Sequence, residues 1–172
     1  MKKVLLYFVL ICTFLLALTG CKKEGEYEDV SEKKEENAKQ FSFVYNGKTI
    51  NIGEAWSTVN EKLGEYDSMF VSESCAYQGT DRFYYYKDFE IMTSEIDGKE
   101  IITNIFIDSA NVETVNGICI GMGLSEVAKK MGPADKSTDK ALIYYGDNVN
   151  VQISIQDDKV IGVEYYYVSE NE

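Results

Sequence analysis

The chain has 172 residues, 45% of them hydrophobic and 27% charged, so it can bury the core of one ordinary domain or of two small ones. Lys and Arg number 17 against 29 Asp and Glu, and the formal net charge of −12 argues against binding to a nucleic-acid backbone. The chain has no histidine, which excludes Ser-His-Asp and Cys-His catalytic pairs, imidazole acid–base chemistry and metal sites that use histidine.

The first residues have the pattern of a secretion signal. Two lysines precede residues 4–18, an uncharged run that is shorter than a typical membrane-spanning helix. The run ends in Leu18-Thr-Gly-Cys21, which resembles the lipobox of bacterial lipoproteins. The resemblance implies a signal peptide at 1–20 and a mature N-terminus at Cys21, whose thiol carries lipid. The alternative, an uncleaved anchor with an incidental cysteine, fits less well because small residues precede Cys21 and charges follow it at once.

Residues 22–40 predict a tether. Twelve of these 19 residues are charged and three are apolar, so the segment cannot bury enough surface to fold. We therefore expect a flexible tether over 21–40, with a transient surface helix as the alternative. It would place the folded part outside the cytoplasm, on the bacterial cell membrane, with the lipid bilayer as one partner.

Two cysteines remain as candidates for a disulfide. Cys12 leaves with the signal peptide and Cys21 carries lipid, which leaves Cys75 and Cys119. A bridge between these two and a pair of free buried thiols are both open readings.

A repeat organises the rest of the chain. Residues 50–67 align without a gap on residues 118–135, and eight of the 18 columns are identical. Each copy has the pattern of a strand end, a glycine turn, a helix of about ten residues and a glycine stop, at Gly64 and Gly132. The repeat predicts two similar units, 41–110 and 111–172.

Alternating hydrophobicity predicts antiparallel strands after each helix. The expected hairpins join residues 89–96 to 100–107 and residues 149–155 to 160–168, and a leading strand at 41–45 turns at Asn46-Gly47. The predicted fold class is therefore α+β: two tandem helix-plus-antiparallel-sheet modules that form a joined curved sheet with helices on one face.

The second copy carries a family resemblance. Residues 120–133 read Ile-Gly-Met-Gly-Leu-Ser-Glu-Val-Ala-Lys-Lys-Met-Gly-Pro, which is similar to the tandem β-lactamase-inhibitor-protein-like domains and the related SmpA/OmlA outer-membrane lipoprotein modules. The resemblance implies short helices on an antiparallel sheet, two units that form a saddle, and protein binding through the sheet. It does not imply β-lactamase inhibition. The first copy departs from the pattern, with Glu54-Ala55 in place of Met122-Gly123 and no proline after Gly64.

Tyrosines form three clusters, at 84–86, 144–145 and 165–167. Neighbouring side chains on a strand point to opposite faces, so each cluster shows a ring to each side. In the last cluster we expect Tyr166 to point outward and Tyr165 and Tyr167 to pack inward with Ile161 and Val163. In the first, either Tyr85 or Tyr84 with Tyr86 is exposed. The predicted binding surface consists of Tyr84, Tyr86, Tyr144 and Tyr166. Ordinary cross-strand aromatic pairs are the alternative reading.

No pattern predicts catalysis or a cofactor. The acidic residues lack the spacing of a calcium loop, nothing marks a nucleophile, and the chain has no histidine that could activate the Cys75 thiol. We expect no enzyme activity, no metal and no cofactor. The predicted function is a lipid-anchored, non-catalytic module that binds another envelope or extracellular protein through the exposed sheet face, and not nucleic acid. The alternatives are a glycan- or cell-wall-binding lipoprotein and a structural subunit of an envelope assembly.

Overall fold

The structure is a computed structural model that describes residues 39–77 and 79–168. The predicted signal peptide 1–20, the lipidation site Cys21 and all but the end of the predicted tether lie outside the described residues. The described residues belong to one compact unit of the chain, Asn37–Glu172. Within them, neither helix has the length and hydropathy needed to cross a bilayer.

The described chain consists mainly of short strands. They are β1 (Phe43–Tyr45), β2 (Lys48–Ile50), β3 (Ser68–Glu73), β4 (Thr80–Tyr85), β5 (Glu90–Ile96), β6 (Lys99–Ile107), β7 (Lys136–Ser137), β8 (Ala141–Tyr144), β9 (Val149–Gln156) and β10 (Lys159–Tyr167). The helices are α1 (Trp56–Leu63) and α2 (Leu124–Met131). Strands β1 and β2 form a two-stranded sheet, and the other eight form one antiparallel sheet in the order β3-β4-β5-β6-β10-β9-β8-β7.

The fold class predicted from the sequence, α+β with two tandem helix-plus-sheet modules, is wrong. Strand accounts for 46% and helix for 12% of the described residues, and one continuous sheet holds eight of the strands. The helices are too small to form a layer, because α1 buries Trp56 and Val59 and α2 buries only Val127. The chain is mostly antiparallel β-sheet. The predicted repeat boundaries, 41–110 and 111–172, stay predictions.

The three tight hairpins are where the sequence predicts them. The turns Asn46-Gly47, Asp97-Gly98 and Asp157-Asp158 all have positive φ, between 49° and 75°. Two consecutive residues with positive φ match the right-handed twist of the strands that they join, and Asn, Asp and Gly tolerate this conformation best. The turns therefore fix the registers of β1–β2, β5–β6 and β9–β10.

Both helices end at the predicted glycines. Gly64 and Gly132 have φ of 83° and 76°, and each donates its N–H to the carbonyl oxygen four residues earlier. Glycine has no Cβ to oppose positive φ, so the chain can leave the helix at these points. Each helix has eight residues rather than about ten.

One face of the eight-stranded sheet carries the core. A row of paired residues crosses six strands on this face, and all its members are buried: Tyr84, Ile91, Ile105, Tyr165, Val151 and Tyr144. The indole of Trp56 stacks on the Tyr84 ring with centroids 3.7 Å apart, and Phe43 of β1 lies 6.3 Å from the Tyr165 ring. Helix α1 and the β1–β2 hairpin thus cover this side, which we call the covered face.

The end of the predicted tether contacts the folded part. The ammonium group of Lys39 lies 3.2 Å from an Asp135 carboxylate oxygen and 5.6 Å from the centroid of the Tyr144 ring.

Candidate functional site

The side of the sheet opposite the covered face is the candidate site, and we call it the open face. Because side chains alternate along a strand, the neighbours of the buried row point to this side. Two rows of paired residues cross it. The first row is Phe70, Phe83, Met92, Asn104, Tyr166 and Asn150. The second row is Tyr85, Glu90, Phe106, Glu164, Gln152 and Ile143.

The open face is half-buried and rich in rings. Phe83, Tyr85, Phe106 and Tyr166 are each partly exposed, so their rings are accessible from this side. An aromatic ring offers a large rigid contact area, and Tyr adds a polar tip, which is why such residues are enriched at protein interfaces. The face therefore has the composition of a binding surface rather than of an ordinary polar sheet face.

Hydrogen bonds hold the polar side chains between these rings. The Asn104 amide donates to a Glu164 carboxylate oxygen at 2.7 Å, and the Asn150 amide donates to the Tyr166 hydroxyl at 3.3 Å. Asn150 also accepts the backbone N–H of Gly146 at 3.3 Å. Both Asn104 and Tyr166 lie at the β6–β10 pair, so the seam of the sheet is the ordered centre of the open face.

Two carboxylates flank Phe106 in the second row. Burial raises the pKa of Glu164 and of Glu90 above the usual range; the Asn104 hydrogen bond opposes this for Glu164, and Asp108 adds to it for Glu90. Two strand spacings separate the two residues, about 10 Å. At that distance they act as separate hydrogen-bonding groups and not as a catalytic pair sharing one proton.

A second polar group lies at the end of the open face. The Ser94 hydroxyl donates to Asp81 at 2.7 Å and lies 3.3 Å from the Thr103 hydroxyl; all three residues are buried. The β5–β6 register shifts between Met92 and Thr93, which makes Thr103 the extra residue of a β-bulge. These side chains satisfy one another, so we assign them to the bulge and not to a binding site.

Two of the four predicted surface tyrosines are core residues. Tyr84 is 4% exposed and Tyr144 is 1% exposed, which corrects the expectation that they present a surface. The Tyr84 hydroxyl donates to Glu100 at 2.8 Å and that of Tyr144 to the Gly132 carbonyl at 3.2 Å. The physical reason is register: both lie in the row of Ile91, Ile105 and Val151, on the covered face. Of the two alternatives for the first cluster, Tyr85 is the residue on the open face.

The other two tyrosines of the predicted surface, Tyr86 and Tyr166, lie on opposite sides of the sheet. Tyr86 stacks on Phe89 with ring centroids 4.7 Å apart, and burial raises its pKa to about 12, so it belongs to the covered side. Tyr166 lies on the open face, as predicted, and is the one predicted surface tyrosine that the structure brings there.

The inward packing of the last cluster is confirmed for Tyr165, and one of its expected neighbours is misplaced. Tyr165 is 3% exposed, and burial raises its pKa to about 12. Val163 is buried beside it, whereas Ile161 is 48% exposed. The β9–β10 register shifts between Val160 and Gly162, so Ile161 is the extra residue of a bulge and leaves the alternation.

Neither open reading of the two cysteines, a disulfide or a pair of buried thiols, holds in the structure. Cys75 and Cys119 are free thiols; Cys75 is exposed and Cys119 is half-buried. Cys75 follows β3, whereas the chain after Cys119 bonds to β10 through Gly121, whose N–H donates to the Val160 carbonyl. Four strand spacings separate β3 from β10, about 19 Å, and a disulfide needs α-carbons closer than about 7 Å.

Sequence reasoning missed most of the open face. Phe83, Phe106, Asn104, Glu90 and Glu164 were not among the candidates. The one signal that could have located them is the pairing of the strands. Once the registers are known, the residues next to a buried row must point to the opposite face of the sheet. In the described parts of the chain, no three acidic or cysteine side chains lie close enough together to hold a metal ion.

Comparisons with known proteins give no function. No family model matches the sequence, and no curated protein matches it. Among solved structures, the chain is similar to the uncharacterized protein yfeY from Escherichia coli, with 17% sequence identity and a TM-score of 0.42 over 69% of this chain and 92% of that chain. A likeness this distant does not establish the resemblance to β-lactamase-inhibitor-protein-like lipoprotein repeats, which stays a prediction.

Proposed function

We propose that this chain is a lipid-anchored protein of the bacterial cell envelope that binds another protein, without catalysis, through the open face of its sheet. The proposal has two parts, an anchor and a binding surface, and different observations support each of them.

The anchor is supported by the sequence. A basic start, an uncharged run at 4–18 and the lipobox-like Leu18-Thr-Gly-Cys21 are together typical of a lipoprotein signal. Each methylene group buried in the bilayer contributes about 0.8 kcal/mol of binding free energy, so two or more acyl chains attach a protein durably to a membrane. A Cys21→Ala variant should therefore leave the membrane fraction, while the unaltered protein stays in it and carries acyl mass on its N-terminal peptide. Unchanged membrane association of Cys21→Ala would refute the lipid anchor.

The binding surface is supported above all by one observation: four partly exposed aromatic rings lie on the face that the helix α1 and the β1–β2 hairpin leave uncovered. Aromatic residues dominate the energetics of protein interfaces, and amides and carboxylates between them supply directional hydrogen bonds. The Asn104–Glu164 and Asn150–Tyr166 hydrogen bonds orient those polar groups before a partner arrives, which lowers the entropic cost of binding.

Pull-down with Tyr166→Ala and Phe106→Ala tests the surface. The protein is presented to solubilised envelope proteins and, separately, to insoluble wall polymer. We expect the unaltered chain to retain a protein, and each alanine variant to reduce that retention about tenfold or more, as loss of an interface aromatic does. Val115→Ala, which trims an exposed apolar side chain in a loop, is the control and should have no effect.

The same experiment separates the alternative functions. Retention of wall polymer in place of protein, lost in Tyr166→Ala, would replace the proposal with glycan binding. Retention that both alanine variants leave unchanged would refute the assignment of the open face.

A further inference from the structure

The edge strand β3 is unlike the rest of the sheet. Three consecutive residues are apolar and well exposed: Met69 (45%), Phe70 (56%) and Val71 (43%). Since neighbouring side chains on a strand point to opposite faces, both sides of β3 present apolar surface to solvent. Nothing in the described chain pairs with its outer side. Exposed apolar edges favour association with another strand, and sheets normally avoid them.

The backbone of β3 presents hydrogen-bonding groups at that edge. The Ser74 N–H donates to the Gly79 carbonyl, and the β3–β4 register continues without a shift from Glu73 back to Ser68. Bonded residues alternate in an antiparallel pair, so Ser72 and Phe70 also bond to β4. The N–H and C=O groups of Met69 and Val71 therefore point away from the sheet.

The opposite edge of the sheet does not share these features. Strand β7 has two residues, Lys136 and Ser137, both exposed, and it carries a lysine. A short edge strand with a lysine is a common protection against strand addition. The contrast shows that the apolar edge is a property of β3 and not of both ends of the sheet.

Charge around β3 indicates what would bind. Residues 64–77 contain Glu65, Asp67 and Glu73 and no lysine or arginine. All three carboxylate residues are exposed, and they lie at or just beyond the two ends of the strand. A second copy of the chain, paired antiparallel about the middle of β3, would bring Glu73 of one copy next to Asp67 and Ser68 of the other. Like charges in such positions repel, so a partner with positive ends fits better.

We propose that β3 receives an extended segment of a partner protein as a ninth strand, and that this segment has an apolar, β-branched centre and lysine or arginine at its ends. Main-chain hydrogen bonds to Met69 and Val71 supply the affinity, and the apolar side chains and the acidic ends select the sequence. The site is the outer edge of the sheet. It shares only Phe70 with the open face, and its main-chain hydrogen bonds at Met69 and Val71 can be tested independently of the proposed function.

A peptide titration tests the proposal on the full-length chain in non-ionic detergent. The probe is a fluorescein-labelled peptide of alternating valine and threonine with two lysines at each end, and binding is measured by fluorescence anisotropy against detergent alone. We expect saturable binding. A matched peptide with glutamates at its ends should bind at least tenfold more weakly. The lysine peptide with every amide nitrogen of the valine–threonine run methylated should also lose at least tenfold, because it then cannot donate to β3 from either of its edges.

A substitution on the protein tests the same hydrogen bonds. Val71→Pro removes the outward N–H without removing a bond to β4, and Val71→Thr keeps it. We expect Val71→Pro to weaken binding at least tenfold and Val71→Thr to stay within about threefold. The methylated peptide is titrated against the unaltered protein. The hydrogen bonds can therefore still be tested if Val71→Pro fails to fold.

Three results would overturn the proposal. The first is equal binding of the methylated and unmethylated lysine peptides. The second is equal binding of the lysine and glutamate peptides. The third is sedimentation of the full-length chain as a dimer that Val71→Pro dissociates, since the occupant of the edge would then be a second copy.

Discussion

Tyr84 and Tyr85 are neighbours in the chain but lie on opposite faces of the sheet. Substituting each with alanine should therefore change the free energy of unfolding by different amounts. Tyr84 is buried under Trp56, whereas Tyr85 lies partly exposed on the open face. We expect Tyr84→Ala to lower the free energy of unfolding by about 3–5 kcal/mol, because it leaves a cavity. Tyr85→Ala should cost less than about 1 kcal/mol. Urea unfolding measures both.

The hydroxyl of Tyr84 gives an internal control. It donates to Glu100, which also accepts from Thr93 at 2.7 Å. Burial, and then Glu100, raise the pKa of Tyr84, so the hydroxyl stays protonated and can donate. Tyr84→Phe keeps the ring and should cost about 1 kcal/mol. Equal losses for Tyr84→Ala and Tyr85→Ala would contradict the assignment of the two faces.

Glu164 should make stability depend on pH. Burial raises the pKa of its folded-state carboxyl above 4.5, so the folded state favours the protonated form. This contribution is present in full below the unfolded pKa and is lost as the pH rises through the folded pKa. Glu164→Gln, which can still accept from Asn104, should therefore raise the free energy of unfolding at pH 7 by about 0.5 kcal/mol, a small gain because the residue is half-exposed.

Urea unfolding at pH 7 and pH 3.5 tests this prediction. The gain from Glu164→Gln should vanish at pH 3.5, where the carboxyl is protonated in both states. Glu61→Gln, on the exposed side of α1, is the control substitution. An equal gain at both pH values, or a loss at pH 7, would contradict the account.

At the scale of elements, Gly146 decides how closely the start of the described chain can approach the β8–β9 turn. A Cβ at this position would lie 2.5 Å from the carbonyl oxygens of Lys39 and Val149. Gly146→Ala should therefore cost about 1–3 kcal/mol, since backbone must move. At Gly123, before α2, an added Cβ meets nothing within 4 Å, so Gly123→Ala should change stability by less than about 0.5 kcal/mol. Thermal unfolding compares the two, and equal melting temperatures would be inconsistent with the close approach at Gly146.

Local elements could be predicted from the sequence because their causes are local. The turns at Asn46-Gly47 and Asp97-Gly98 need positive φ, and the helix ends need Gly64 and Gly132; each requirement is visible in the residue itself. The strands β9 and β10 follow directly from alternation.

Pairings between distant strands could not be predicted in this way. The Asn104–Glu164 hydrogen bond joins residues 60 positions apart, and no local pattern indicates that β6 lies beside β10. Alternation also leaves the face of a tyrosine run undecided, and Tyr84 was assigned to the wrong one. Bulges add to the difficulty, because Ile161 breaks the alternation without any change in hydrophobicity.

At the scale of the whole molecule, the continuous sheet predicts a single unfolding transition. Strand β6 pairs with β10 over Asn104–Ile107, so the strands on either side of this seam share one ladder of hydrogen bonds. Trp56, the one tryptophan in the chain, reports on the β4 side, and the amides of Val151 and Ile153 in β9 report on the other. Trp56 fluorescence and exchange of those amides should give the same urea midpoint. Two separate midpoints would mean that the halves unfold independently.

The overall arrangement gives the two sides of the sheet different roles. The covered face holds the aromatic core and accounts for stability, whereas the open face displays Phe83, Tyr85, Phe106 and Tyr166. This division predicts that substitutions on the open face reduce binding far more than they reduce stability.

Photo-crosslinking in intact cells can show whether a protein lies against the open face. A photoreactive phenylalanine analogue replaces Phe106, in the middle of the open face, and in a second strain replaces Val115, in an exposed loop. We expect a discrete protein adduct from position 106, identified by mass spectrometry, and none of that species from position 115. The same adduct from both positions, or adducts only with wall polymer from position 106, would contradict protein binding through this face.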